Sequence, residues 1–218
     1  MAFTQQTFDV LEQFSINNSK EWFMENKSTY ESVVRRPFAE MLEEISSHLL
    51  STDLPYSGGE KTMFRVNRDV RFSSDKSPYN THVSGLLTPD GTKSEATALL
   101  YFHLEEDGLF AVGGLYKPST ERLGELRTAM LEKEPDFRAC LDELQSAGLS
   151  LDSSDATKTM PRGFNDYADH PLSEYIKLKN LMVRIDLSRA ELLSSGLSRQ
   201  LSEFALSARP LFSFLSRH

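Results

Sequence analysis

The sequence contains a single cysteine, Cys140, in 218 residues. A lone cysteine cannot form an intramolecular disulfide, so the fold has to be stabilised without crosslinks. At this length a single core buries roughly 70% of the surface of the unfolded chain, so neither disulfides nor a structural metal ion is needed for folding. Cys140 shares a helical pattern with Phe137 and Leu144, which predicts a packing thiol rather than a nucleophile.

Long apolar segments are missing as well. No run approaches the ~18 apolar residues of a transmembrane helix, and no basic segment followed by an apolar one opens the chain as in a signal peptide. We therefore expect no membrane partner and a cytoplasmic location. With 39% hydrophobic and 26% charged residues, the composition is typical of a folded globular protein and excludes disordered and fibrous classes.

Motifs of known catalytic chemistry are absent too. The sequence has no G-x-S-x-G, Walker, H-E-x-x-H or C-x-x-C motif. Its histidines lack the spacing of neighbouring metal ligands, so we expect no metal site. The sequence indicates neither a cofactor nor a reaction, and it leaves open whether the protein is an enzyme. The histidines are His48, His82, His103, His170 and His218.

Helical periodicity dominates the first quarter of the sequence. Pro37 predicts the start of one helix, because the first N–H groups of a helix are unpaired and a proline loses nothing there. Further helices are predicted after Ser119, from Pro135 and after Pro171, with a capping-box pattern at residues 188–191. The apolar residues that share one face of the helix after Pro37 are Phe38, Met41, Leu42, Ile45 and Leu49.

Alternation with a period of two predicts the strands. Residues 99–104 and 109–115 are the clearest, and the turn sequence at 106–108 predicts that they form a hairpin. Residues 181–187 alternate in the same way. The adjacent glycines at 113–114 predict a close backbone approach or a bulge within a strand.

Helices followed by hairpin-linked strands and then by more helices are typical of an α+β protein. We predict a central antiparallel sheet meander packed by N-terminal and C-terminal helices. The predicted organisation is a single domain over residues 1–218, with N-terminal helices at 4–50, a sheet at 61–116, helices at 119–148, and a C-terminal strand and helices at 172–216.

One short region has the opposite charge to the rest of the chain. Residues 61–76 contain five basic and two acidic side chains, a net charge of +3, whereas the whole chain carries −8. A basic region on an acidic protein attracts small anions locally while the protein as a whole repels long polyanions. We therefore expect no general binding of nucleic acid.

Arg68 is the least expected residue of this region. Residues 64–72 alternate as a strand, and strict alternation places Arg68 on the apolar face with Phe64 and Val70. An unpaired guanidinium there would cost several kcal/mol. Three arrangements offset this cost: a buried carboxylate such as Asp69 or Asp75 across a bend, a bulge that turns the side chain outward, or a cleft in which Arg68 meets a ligand.

The leading hypothesis is that this strand and the polar loop after it bind a small phosphate- or carboxylate-bearing ligand. In this hypothesis the anion is held by Arg65, Arg68 and Lys76. Asp69 and Asp75 would orient the arginines, and Tyr79 would form a wall of the site. The predicted ligand-binding residues are Arg65, Arg68, Asp69, Arg71, Asp75, Lys76 and Tyr79.

Other interpretations of the same residues stay open. His82, His103 and Asp75 are weak candidates for proton transfer, since a hydrogen-bonded histidine in a sheet is more common than a catalytic one. The alternative function is a non-enzymatic protein-interaction or assembly module that uses the basic region against an acidic partner. A purely structural network of arginines and aspartates is the third interpretation.

The sequence resembles the family known as domain of unknown function 2461. The most specific match is residues 65–79 (RVNRDVRFSSDKSPY), and residues 17–23 (NNSKEWF) match as well. The resemblance extends over nearly the whole chain and implies that residues 65–79 form the characteristic surface of the family, but it implies no activity or cofactor. After Pro-Tyr the family usually has a lysine, whereas this chain has Asn80. The remaining matches are Asn26, Lys27, Tyr30, the glycines at 113–114, and residues 161–164, 170–171 and 178–179.

Overall fold

A computed structural model describes residues 3–93 and 98–218. It confirms the α+β class. A π-helical turn at Glu31–Arg35 connects the second and third helices, and single 3₁₀ turns lie at Glu60–Thr62 and Asn165–Tyr167. The helices are α1 (Gln5–Ile16), α2 (Lys20–Tyr30), α3 (Arg36–Leu49), α4 (Thr120–Glu132), α5 (Glu134–Ser146), α6 (Ser173–Ile176), α7 (Arg189–Leu192), α8 (Leu197–Ser207) and α9 (Arg209–Arg217), and the strands are β1 (Val83–Leu87), β2 (Leu99–Glu105), β3 (Gly108–Leu115) and β4 (Leu181–Ser188).

The four strands form an antiparallel meander in the order β1-β2-β3-β4. Strands β1 and β2 pair from Val83 opposite Leu104 to Leu87 opposite Leu100. The prediction of a hairpin-linked sheet is therefore confirmed. Residues 94–97, which the predicted sheet region included, lie outside the described residues.

The described residues group into two compact units, each assembled from separate stretches of chain. The first unit contains residues 3–93, 100–111 and 185–203, and the second contains 98–99, 112–184 and 204–218. This grouping does not test whether the chain is a single domain, so the single domain stays a prediction. All the residues of the predicted ligand site belong to the first unit.

Helices α1 to α3 supply a large part of the core of the first unit. Phe8, Leu11 and Phe14 of α1 are fully buried, and so is the apolar row that follows Pro37 on α3. The proline occupies one of the first two positions of α3, where its missing N–H has no cost. An added Cβ at Gly85 would lie 2.7 Å from Leu42 Cδ1, so this face of β1 packs directly against α3.

The second unit has its own aromatic core. The ring of Phe137 on α5 lies 5.0 Å from Phe214 of α9 and 5.6 Å from Tyr175. Cys140 is buried on the same helix, and this burial raises the pKa of its thiol to about 12. The thiol is thus protonated at neutral pH, as expected for a packing residue.

Local capping signals in the sequence are confirmed. The Ser119 hydroxyl accepts a hydrogen bond from the Arg122 N–H at the start of α4. At α7, Ser188 donates its N–H and its hydroxyl to the Glu191 carboxylate. None of the described helices is both long and apolar enough to cross a membrane.

The predicted strand over residues 64–72 is wrong. Met63 bridges Gly85 and the Phe64 N–H donates to the Ser84 carbonyl, but beyond this point the chain leaves the sheet. Side-chain burial still alternates up to Val70, and this alternation produces the strand-like pattern in the sequence. The pattern ends at Phe72, whose side chain is 96% exposed. The real edge strand, β1, is buried at every residue and therefore shows no alternation.

Gly114 confirms the predicted close backbone approach and gives a stability test within the second unit. Its φ is +141° and an added Cβ would lie 2.1 Å from the Leu181 carbonyl oxygen. We expect Gly114→Ala to lower the free energy of unfolding by about 1–3 kcal/mol for the strained backbone, with a further loss from the overlap. Chemical denaturation measures this change.

The matched control is Gly124, in the middle of α4, where an added Cβ meets nothing within 4 Å. Here Gly124→Ala should stabilise the protein by about 1 kcal/mol, because alanine loses less backbone entropy in a helix. Equal effects of the two substitutions would contradict the assignment of a steric role to Gly114.

Candidate functional site

The predicted ligand-binding residues lie on an irregular hairpin formed by residues 65–79, which we call the basic hairpin. The Arg68 N–H donates to the Pro78 carbonyl at 2.9 Å, and the Asn80 N–H donates to the Val66 carbonyl at 2.7 Å. These two bonds close the base of the hairpin. Residues 69–77 form the loop beyond it, so the loop is supported mainly by its own side chains.

Tyr79 fixes the base of the hairpin to the helical core. Its N–H donates to Asn18 Oδ1 at 3.1 Å, and its carbonyl accepts from Asn18 Nδ2 at 2.9 Å. The Tyr79 ring is 6% exposed and lies 4.4 Å from Phe23 and 5.7 Å from Phe14. The structure therefore places this ring in the core, where it anchors the hairpin, and not along an open site as the sequence hypothesis had it.

Arg68 and Asp75 form an ion pair across the loop. The Arg68 Nη1 group donates to the Asp75 carboxylate and, at 3.3 Å, to the Ser77 carbonyl. Of the three arrangements considered from the sequence, this is the carboxylate across a bend. The carboxylate is not buried as expected, since the Asp75 side chain is 58% exposed against 26% for Arg68.

Asp75 is also the hydrogen-bond acceptor of its own turn. It accepts from the Ser77 hydroxyl at 2.6 Å and from the Ser77 N–H at 2.9 Å. These two bonds, followed by the bond from Arg68, hold the pKa of the Asp75 carboxyl well below its usual range. Asp75 is therefore ionised at neutral pH and keeps Arg68 in one place.

Arg71 is held by Asp69 in a second, more exposed pair. Arg71 Nε donates to Asp69 Oδ1 at 2.9 Å and Nη2 donates to Oδ2 at 2.6 Å, so the carboxylate occupies the whole two-pronged edge of the guanidinium. The hydrogen bonds from Arg71 lower the pKa of Asp69, and the nearby charge of Arg65 lowers it further. Lys76 Nζ donates to the Val70 carbonyl at 2.9 Å.

Some cationic donors of the hairpin have no partner within the described chain. Asp75 and Ser77 occupy only Nη1 of Arg68, so its Nε and Nη2 groups make no hydrogen bond with a described residue. Arg65 forms no ion pair within the same set of residues. Arg68 is thus held on one side, and none of the described residues occupies its two-pronged Nε and Nη2 edge.

The two histidine candidates lie together, with His103 on β2 and His82 directly before β1. The ring of His103 on β2 stacks between those of His82 and Phe110, with centroid distances of 4.0 and 4.5 Å. His103 Nδ1 lies 2.8 Å from the Tyr101 hydroxyl oxygen, and its Nε2 lies 3.6 Å from Glu105 Oε2. Burial, and then the neighbouring His103, lower the pKa of His82 to about 4.

The third proton-transfer candidate, Asp75, is not part of this group. Its hydrogen bonds and its ion pair involve only Arg68 and Ser77, and no contact joins it to His82 or His103 in the described structure. Within residues 3–93 and 98–218, no three His, Cys, Asp or Glu side chains are grouped so that they could hold a metal ion.

Arg127 is a polar residue that the sequence analysis missed. It is 7% exposed in the second unit and donates from Nε to the Ile176 carbonyl at 2.7 Å and from Nη2 to the Leu178 carbonyl at 2.9 Å. Arg127 lies next to Leu126 and three residues before Met130, among the buried positions of α4. A charged residue at such a position is the signal that could have revealed it.

These features describe an α+β protein whose conspicuous surface is a cation-rich hairpin anchored to a helical core. The chain belongs to DUF2461, a family of conserved hypothetical proteins, whose pattern it matches over residues 6–214. No curated protein matches the chain.

The hydrogen bonds of Asp75 predict its titration. Because its pKa is lowered in the folded state, ionised Asp75 stabilises the hairpin above its ordinary pKa, and this contribution is lost as the pH falls towards the folded pKa. We expect Ser77→Ala to raise the pKa of Asp75, since the Ser77 hydroxyl is the largest single cause of the shift. NMR titration of the Asp75 carboxyl carbon measures the change.

The control for this titration is Ser74→Ala, in the same loop. The Ser74 hydroxyl makes no hydrogen bond with any residue of the described chain, so its removal should leave the pKa of Asp75 unchanged. An Asp75 that titrates at its ordinary pKa in the wild-type protein would contradict the network described above.

Proposed function

We propose that the basic hairpin is a cytoplasmic receptor for a small molecule that carries a phosphate or carboxylate group. The observation that supports this most strongly is the hydrogen bonding of the Arg68 guanidinium. One side of its guanidinium is held by Asp75 and Ser77, while the Nε and Nη2 edge makes no hydrogen bond with a described residue.

Such an edge matches the geometry of an oxyanion. Nε and Nη2 of an arginine present two parallel N–H groups, which pair with two oxygens of a carboxylate or phosphate. Because Asp75 already restrains the side chain, little rotamer entropy remains to be lost when an anion binds. The 26% exposure of the Arg68 side chain leaves it accessible but reduces screening by water.

The neighbouring charges support the same role. Arg65 and Lys76 add two positive charges to the hairpin, and neither forms an ion pair within the described residues. In this proposal Asp75 and Asp69 orient the arginines and do not contact the ligand. The acidic remainder of the chain disfavours a long polyanion such as a nucleic acid.

A second candidate function has one observation in its favour, the exposure of Phe72. The Phe72 side chain in the loop of the hairpin is 96% exposed, and the Cζ atom of Arg71 lies 5.9 Å from the centroid of its ring. Aromatic and arginine side chains are enriched among the residues that dominate protein interfaces. The hairpin would then dock onto an acidic surface of a partner protein, with Phe72 as the anchor.

Anion binding is tested by thermal unfolding of Arg68→Lys and Arg71→Lys in inorganic phosphate and in citrate. An anion at 100 times its Kd stabilises the wild-type protein by about 2.7 kcal/mol, which is a shift of several degrees. We expect Arg68→Lys to lose this shift, because a lysine keeps the charge but not the two parallel N–H groups. Arg71→Lys should retain it, because Asp69 already occupies the equivalent edge of Arg71.

Two results would contradict the receptor proposal. One is an unchanged melting temperature of the wild-type protein across phosphate and citrate concentrations up to the millimolar range. The other is an equal loss in both arginine variants, which would indicate general charge screening. If instead a glutamate-rich peptide binds and Phe72→Ser abolishes its binding while Arg68→Lys does not, the docking function replaces the receptor.

A further inference from the structure

The Tyr101 hydroxyl, the His103 ring and the Glu105 carboxylate form a linear group along β2. These residues alternate with buried ones, so all three side chains project from the same face of the strand. On the opposite face Gly85, the β1 partner of Phe102, packs against Leu42 and Phe38 of α3. The group therefore lies on a strand that is paired with β1, which packs against α3.

The Glu105 carboxylate favours one of the two tautomers of His103. Glu105 Oε2 lies 3.6 Å from Nε2, too far for a hydrogen bond but close enough to favour a proton on that nitrogen. Nδ1 then presents its lone pair to the Tyr101 hydroxyl, 2.8 Å away. In this tautomer the tyrosine donates and the histidine accepts, so the phenol has a base in contact with it.

The ring stack prevents His103 from turning away. Its plane is inclined by only 15° to Phe110 and by 29° to His82, which cover its two faces. Rotation of the imidazole would break both contacts, so its nitrogens stay directed at Tyr101 and Glu105. A base held in this way costs little reorganisation when a proton is transferred.

Residues that flank the basic hairpin on either side contact this group. Before the hairpin, the Phe64 ring lies 6.2 Å from Tyr101, and Lys93 Nζ lies 6.0 Å from the Phe64 ring. After the hairpin, His82 stacks on His103. The chain therefore runs from this aromatic surface, which includes the Tyr101 hydroxyl, into the basic hairpin and returns to the same surface after it.

We propose that Tyr101 is a catalytic residue that exchanges a proton with a small substrate bearing a phosphate or carboxylate group. The proton is exchanged with the non-anionic end of that substrate. His103 is the base of Tyr101, and Glu105 positions His103. The choice of an anionic substrate rests on the proposed function of the hairpin, whereas the reactivity of Tyr101 does not. The phenolic proton moves to His103 Nδ1, the phenolate oxygen takes up a proton from the substrate, and the imidazolium returns its proton to water or product.

The reactivity of Tyr101 is tested with arylsulfonyl fluorides, which label nucleophilic tyrosines. The phenol oxygen forms a bond to sulfur, the S–F bond breaks, fluoride leaves, and the phenolic proton passes to His103. With the neutral 4-toluenesulfonyl fluoride, peptide mass spectrometry should show faster labelling of Tyr101 than of Tyr116 and Tyr167, although those are 42% and 38% exposed.

The matched variants are His103→Phe and His82→Phe, since each keeps a ring in the stack. We expect His103→Phe to slow the labelling of Tyr101 roughly tenfold or more, the lower range of general-base effects, and His82→Phe to slow it clearly less, because the base is still present and a ring still covers it. Glu105→Gln gives an intermediate rate and serves as a second variant. Labelling of Tyr101 no faster than that of Tyr116 and Tyr167, or equal rates in the two histidine variants, would overturn the proposal.

An anionic probe separates this proposal from the receptor function. In the wild-type protein 4-(fluorosulfonyl)benzoate should label Tyr101 faster than the neutral probe does, and Arg68→Lys should remove that advantage without slowing the neutral probe. If the carboxylate gives no advantage while Tyr101 stays highly reactive, the anionic substrate is wrong and the proton-transfer group stands. If Tyr101 is unreactive but phosphate still stabilises the protein, the receptor stands without the catalysis.

Discussion

The basic hairpin depends on the attachment of one residue, Tyr79. Its ring is buried between aromatic side chains of the helical core, and the Asn18 amide pairs with both its N–H and its carbonyl. Without this attachment only two backbone hydrogen bonds would close the hairpin, and isolated hairpins of that size are marginal in water. The same contact therefore fixes where the cations of the hairpin lie and in what orientation they meet a ligand.

Electrostatics then organise the loop from within. Asp75 and Asp69 each hold one arginine, but in different ways: Asp75 takes a single nitrogen of Arg68, whereas Asp69 occupies the whole edge of Arg71. Exposed ion pairs contribute little to stability. Their effect here is on geometry, because one pair leaves a two-pronged donor available and the other does not.

The sequence predicted the elements whose signals are local. The helices and the strands over 99–104 and 109–115 follow from the spacing of their own apolar residues, and the caps at Ser119 and Ser188 follow from neighbouring residues. Strand β1 was missed because a strand buried on both faces loses its alternation. Residues 64–72 were assigned wrongly because their alternation reflects local burial without a partner strand.

The region of the candidate site could be predicted from the sequence, but the partners of its side chains could not. Composition located the basic residues of the hairpin. The partners of Arg68 and Tyr79 were beyond sequence reasoning, because Asn18 is 61 residues from Tyr79 along the chain and a loop can pair its charges in several ways. Only the fold decides which nitrogen of an arginine a carboxylate takes.

The most direct test of the receptor is an NMR titration of the arginine Nε–H signals with inorganic phosphate. The structure predicts a saturable shift of the Arg68 Nε–H, because that group makes no hydrogen bond with a described residue. It predicts little change for the Arg71 Nε–H, which already donates to Asp69. A silent Arg68 signal, or equal and unsaturable shifts of the two arginines, would contradict the assignment of Arg68 as the anion receptor.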